Sequence, residues 1–419
     1  MPKSAWLGLL VGCGVALSVW LGVSAQREEQ ARALAERSLK LLRAPLTEAA
    51  SYRDLRAREA REMLEEAQEL APSAERALLF IEARSSELLG RGDFARAASL
   101  LAEQPSVPQL GVLTAAVALA RGQASAAQLT LDNLPTGLSQ QPRALLLRSD
   151  VARALGRGDV ALTAAQSGID RQPQVAAFYE RRGLAQELLG QRDQAIQDLE
   201  RATQLDRRST SALLALGRLQ RGAGALGNAI MAFHEAQQRN PNEPEAWLGG
   251  GVCRMAVGDY SSARVELERA SELQPKRSEP LIALADLDLA EKNVNMAQRR
   301  YRAALLLDPQ NAVAHLKLGN ALMRTGTVPQ AIAHYQAAIT ARPDLAAAHN
   351  GLGAAFTAQG DLAHAETELQ AAAKLDPADA HPWLNLARVY GKRGDADAEA
   401  AAIAQARERN PELALAVLK

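Results

Sequence analysis

The chain has 419 residues with 48 basic and 48 acidic side chains; 47% of its residues are hydrophobic but only 4% aromatic. Zero net charge removes the basic footprint of a nucleic-acid-binding protein, and so few aromatics argue against ordinary thick cores, where aromatics dominate the buried area. Two cysteines, Cys13 and Cys253, leave no disulfide framework and no CxxC pair.

Residues 4–25 carry no charge, and at 1.5 Å per residue they reach roughly 33 Å as a helix, enough to span a bilayer. Trp6 and Trp20 stand toward the two ends of the stretch, as interfacial aromatics do. Two other readings stay open. Val23-Ser24-Ala25 is a small-residue cleavage site before Gln26, although the apolar stretch is longer than a signal core. Leu10-Val11-Gly12-Cys13 fits a lipobox, although the apolar run continues past the cysteine. The favoured expectation is an uncleaved membrane anchor over 1–25, in a bacterial inner membrane. Arg27, Arg32, Arg37, Lys40 and Arg43 against Lys3 put the rest of the chain in the cytoplasm by a simple count. Long domains translocate largely regardless of charge, and a span that starts after one lysine looks like an export leader, which favours the periplasm.

From residue 26 to 141 the pattern is helical and loosely periodic. "GRGDFARAASLL" (90–101) and "ARGQASAAQLTL" (120–131) read as turns followed by second helices of degenerate units, and "AREAREMLEEAQELAP" (57–72) as another second helix.

Downstream the period is fixed. Pro241, Pro275, Pro309, Pro343, Pro377 and Pro411 are each 34 residues apart, and Pro173 is in register with Arg207 filling the missing step. With proline at position 32, eight units run from 142 to 413, and residues 414–419 are expected to cap the last one. Position 8 is small, as in Ser149, Gly183, Gly217, Gly251, Ala285, Gly319, Gly353 and Ala387. Position 20 is alanine except at Glu399, position 27 is alanine except at Gly168, and position 24 is mostly large. Such a unit is two antiparallel helices: small residues let them approach and the large one fills the gap. Glycine at position 15, as in Gly258-Asp259, Gly360-Asp361 and Gly394-Asp395, ends the first helix, and proline ends the second.

This pattern resembles the tetratricopeptide repeat family. "AWLGGGVCRMAVGDYSSARVELERASELQP" (246–275) carries the family's W–G–GDY–A–A–P landmarks almost whole. The resemblance implies an all-α, right-handed α-solenoid of helix pairs, here expected behind an N-terminal transmembrane helix, with no strand. About eleven units are expected, the first three irregular, since arrays need atypical ends. The layout is similar to bacterial membrane-anchored repeat proteins.

In this family the inner wall, lined by the first helices, grips extended peptides or partner helices. Positions 2, 5, 6, 9, 12 and 13 face it. Carried onto this chain they give an apolar zone of Leu214, Leu248, Val252, Met255, Ile282 and Leu289, and a polar, basic zone of Lys317, Asn320, Arg324, Asn350, Asn385, Arg388 and Lys392. Asparagine amides can satisfy both groups of a peptide backbone, and the cations favour an acidic or carboxylate-bearing segment. Position 5 holds Leu316, Asn350 and Leu384, so the lysines with which chaperone adaptors of the family clamp a terminal carboxylate are absent.

No GxSxG, HExxH or P-loop occurs. His315 and His349 share position 4 of successive units, where packing is a better account than a metal, and Cys253 reads as a small buried residue. The expectation is a non-enzyme without cofactor or metal, which binds other proteins in its groove and a membrane through its first helix, and neither nucleic acid nor a small-molecule substrate. Its role is read as a scaffold recruiting envelope proteins. The alternative is a regulatory or substrate-recruiting subunit of a separately encoded enzyme, such as a glycosyltransferase or polysaccharide synthase.

Overall fold

A computed structural model describes residues 27–37, 91–102 and 108–412, with isolated positions between 61 and 88. The anticipated anchor at 1–25 and the cap at 414–419 lie outside the described residues, and of the helix expected at 57–72 only residues 61–63 and 65 are described, all helical. Among the described residues no helix is long and apolar enough to cross a membrane.

Residues 27–37 are helical. Numbered from Phe94, the helices begin with α1 (Phe94–Ala102), α2 (Gly111–Ala120), α3 (Ala124–Asp132) and the single turn α4 (Thr136–Ser139), with a 3-10 turn at Pro108–Leu110 before α2. Sixteen helices follow, two to a repeat: α5 (Pro142–Ala154) with α6 (Gly158–Arg171), α7 (Ala176–Leu188) with α8 (Arg192–Leu205), then α9 (Ser211–Gly222) and α10 (Leu226–Arg239), between which the chain divides into two compact units. Next come α11 (Pro244–Ala256) with α12 (Tyr260–Leu273), and α13 (Glu279–Ala290) with α14 (Val294–Leu307). The last three pairs are α15 (Ala312–Arg324) with α16 (Val328–Ala341), α17 (Ala346–Gln359) with α18 (Leu362–Leu375), and α19 (His381–Arg393) with α20 (Ala396–Arg409). The described residues contain no strand. Two compact units divide the chain, 1–223 and 224–419.

The landmark residues form the seam between the two helices of a repeat wherever both lie in one compact unit. Alanines at positions 20 and 27, such as Ala263, Ala270, Ala331 and Ala338, are fully buried. A methyl group added to Gly251 would stand 2.7 Å from Leu267 and 3.2 Å from the Ala263 carbonyl; on Gly353 it would stand 2.5 Å from Leu369. Position 8 is therefore small because position 24 of the same unit fills the space above it. In the first unit Ser149 takes that place and its hydroxyl donates to the Ala161 carbonyl at 2.9 Å, so a polar side chain is tolerated by bonding the position-20 backbone.

The turn between paired helices needs a left-handed residue. Gly156, Gly190, Gly224, Gly258, Gly326, Gly360 and Gly394 all have φ between 71° and 91°, and among the described residues Lys292 is the one non-glycine with positive φ, at 66°. An aspartate following the glycine then caps the second helix: Asp259, Asp361 and Asp395 accept from the amides of Ser262, His364 and Ala398. Second helices stop two residues before the proline, because the residue preceding it is pushed out of the α region; Gln274 has φ −130° and ψ 66°. Asp206 takes the same extended form before Arg207 (φ −125°, ψ 98°), so the unit that lacks proline keeps the break.

Position 4 supplies a clip that its packing role did not foreshadow. Tyr179, Trp247, His315 and His349 each bond the carbonyl of the preceding proline, Pro173, Pro241, Pro309 and Pro343, at 2.9–3.1 Å. In the last unit Arg409 bonds the Pro377 carbonyl instead and lies 5.0 Å over the ring of Trp383.

Candidate functional site

Each second helix packs chiefly on the first helices beside it, while first helices also touch one another: α5 with α7 and α7 with α9 in the first unit, and α11 with α13, α15 with α17 and α17 with α19 in the second. The first helices thus line one side of each stack, and the wall positions lie there.

The apolar positions are shared with the core. Leu214 is buried at 7% exposure. Leu248, Val252 and Met255 are half-buried against Ala263, Leu267 and Leu284, and Ile282 and Leu289 against the cluster around Tyr301 and Leu318. Each offers only part of its surface to a partner.

The polar zone is partly consumed by bonds between repeats. Lys317 is held by Asp286 of the preceding repeat at 2.8 Å, and the same carboxylate accepts the Tyr301 hydroxyl at 2.5 Å. Burial, and then the neighbouring Asp286 carboxylate, push the Tyr301 phenol up, so it stays a donor. Burial does the same to Tyr335, whose hydroxyl donates to Asn320 at 2.8 Å. Lys392, though exposed, donates to the Thr357 carbonyl at 3.0 Å. Asn385 Nδ2 donates to Asn350 Oδ1 at 2.8 Å. That pairing leaves Asn350 an amide donor and Asn385 a carbonyl acceptor, the complement of one peptide group. Arg324 and Arg388 are exposed and make no bond within the described residues.

Cys253 is fully buried. The position-4 histidines do not meet. His315 faces His334 at 3.0 Å and His349 faces Glu368 at 2.7 Å, each within its own repeat. No group of three or more potential metal ligands occurs among the described residues.

The aspartate–tyrosine pairing was available as a spacing, since positions 9 and 24 of one unit, fifteen residues apart, hold Asp286 and Tyr301 or Asn320 and Tyr335. Its consequence for Lys317 was not, because that needs the register between neighbouring repeats.

Two family profiles, both described as tetratricopeptide repeat, match the chain, one over 146–212, 188–244, 282–346 and 330–380, the other over 220–287. They run together without a gap from 146 to 380. Among solved structures, the chain is similar to the APC/C hetero-tetramer Cut9-Hcn1 with 15% identity and a TM-score of 0.51, covering 88% of this chain and 83% of that one. It is similar to yeast Tom70 with 15% identity and a TM-score of 0.50, covering 94% and 95%. At that identity the likeness concerns the fold alone. No curated protein sequence matches.

Proposed function

The chain belongs to the tetratricopeptide repeat family, whose repeats serve as protein–protein interaction scaffolds, and we propose that this scaffold is tethered to a bacterial inner membrane and recruits or assembles envelope proteins. The uncharged residues 4–25 support the tether, and the repeats are placed on the periplasmic side. The partner segment lies along the first helices of the last three repeats and is extended and acidic.

One observation carries the choice of site: the Asn350–Asn385 pair keeps the Asn350 amide donors and the Asn385 carbonyl acceptor free, beside exposed and unpaired Arg388 on the same helix as Asn385. Backbone groups of a peptide would bond the amides regardless of its sequence, and Arg388 and Arg324 would select a carboxylate. Leu248, Val252 and Met255 add half-exposed apolar surface.

A photo-crosslinking amino acid placed at Arg388, and separately at the exposed Val265 of α12, tests the reading in intact cells. An adduct with an envelope protein from position 388 alone, recovered in the membrane fraction with Met1 or Pro2 at the amino terminus, is the expected result. Equal adducts from both positions overturn the site, a mature start at Gln26 overturns the tether, and an adduct with a biosynthetic enzyme points to a regulatory subunit.

A further inference from the structure

The turn of the fifth repeat differs from the others. Seven repeats place glycine in the left-handed turn position; here Lys292 holds it at φ 66°. The fold asks only for that backbone conformation, which glycine adopts freely, and strain of this kind collects at functional positions. Beside the turn lies an open recess of about 760 Å³, bounded by α12, the α13–α14 turn and Thr325 at the end of α15.

The charges lining it fall into two sets. Asp288, 1% exposed, and Glu291 hold Arg264 at 2.9 and 2.5 Å, and Arg300 lies 3.2 Å from Asp288. Those four groups neutralise one another and form the floor. Arg300 Nη1 and Asp288 Oδ2 are both buried without a hydrogen-bond partner, so the floor favours neither charge. Lys292 and Arg299 remain, both exposed on the rim and neither paired within the described residues. The recess therefore presents two uncompensated cations on its rim, with exposed Met296 as an apolar edge.

We propose that this recess is a second binding site, on the turn edge of the array, for an acidic peptide segment of a partner protein. Carboxylates of the segment pair with Lys292 and Arg299, and Met296 covers an adjoining apolar side chain. The site is separate from the first-helix wall and does not depend on the function assigned to that wall.

The test uses the full chain and a fluorescein-labelled tetraglutamate peptide followed by fluorescence anisotropy, with tetralysine peptide and inorganic pyrophosphate as the other arms. Lys292→Gly restores the residue the other repeats carry, so misfolding does not explain a loss. Combined with Arg299→Gln it is expected to weaken tetraglutamate binding about ten-fold. The comparison is made in an Arg324→Gln, Arg388→Gln background, so that the carboxylate-selecting cations of the wall do not contribute to the signal. Unchanged binding in the Lys292/Arg299 variant overturns the proposal, as does tetralysine binding as well as tetraglutamate. Displacement of the peptide by pyrophosphate at lower concentration than by free glutamate peptide would make this a phosphate site and overturn it too. Binding already lost in the Arg324/Arg388 background would assign acidic binding to the wall alone.

Discussion

Tyr335 occupies two glycine notches at once. A methyl group on Gly319 of its own repeat would stand 2.7 Å from the ring, and one on Gly351 of the next repeat 2.6 Å. Gly351→Ala forces that overlap, at ~1–3 kcal/mol for an overpacked site, and regains ~1 kcal/mol of helix propensity, for a net loss of about 0–2 kcal/mol. Tyr335→Leu removes ring volume and the hydroxyl held by Asn320; with Asn320 exposed and free to rehydrate, the loss is about 1–2 kcal/mol. In the double variant the alanine methyl enters the space the ring has left, so the two losses should fall short of additivity by ~1–2 kcal/mol. The fourth and fifth repeats already contain the double variant: Leu267 at position 24 packs in one cluster with Ala283 at position 6. Repeat arrays open segment by segment, so native-state hydrogen exchange of the amides in α16 and α17 is the measurement. Additive losses would refute the pairing of position 24 with position 6 of the following repeat.

Lys292→Gly should stabilise the α13–α14 pair by roughly 0.5 kcal/mol, the left-handed penalty of a side chain less the entropy of a freer unfolded chain; a loss of exchange protection there would mean that the lysine makes stabilising contacts. Burial first, and then His315 and Arg302, lower the His334 pKa, so the native state resists a proton that the unfolded chain accepts. That contribution is present above about pH 6.5 and is lost as pH falls below it. The difference in denaturation midpoint between pH 7.5 and 5.5 should accordingly shrink in His334→Gln, and an unchanged difference would remove His334 from the account. Lys317→Glu turns its half-buried pair with Asp286 into a repulsion and should open the α13–α15 junction by about 1–2 kcal/mol, whereas Arg388→Glu should leave stability within about 0.5 kcal/mol. Thermal melts of the two variants distinguish a clip between repeats from a free binding group.

The seam of the fold was legible in the sequence because it repeats. A residue that must be small at position 8 is small for the same reason in every unit, and Gly251, Gly319 and Gly353 meet Leu267, Tyr335 and Leu369 as that reasoning requires. Helix ends were legible for the same cause, since glycine and proline act locally through their own dihedral angles. The position-6 glycines were not. Gly249 and Gly351 are read by position as wall residues, yet they make room for Phe233 and Tyr335 of the repeat before. That is a contact between repeats, invisible to any pattern confined to one unit.

The polar wall shows the same limit in a form that bears on function. Lys317, Asn320 and Lys392 look from the sequence like groups waiting for a ligand, and each is bonded within the array, to Asp286, Tyr335 and the Thr357 carbonyl. Repeats in such a stack bury little beyond their neighbours, so hydrogen bonds across the first-helix face help fix the register of one unit on the next. A side chain spent on register is not available for a partner at full strength, because binding must first replace a bond already made. Affinity on this wall should then concentrate at the groups left over: Arg324, Arg388 and the open halves of Asn350 and Asn385. The same subtraction identifies Lys292 and Arg299 at the turn edge, where Arg264, Arg300, Asp288 and Glu291 neutralise one another. Both proposed sites are thus built from the polar groups that the array leaves unpaired.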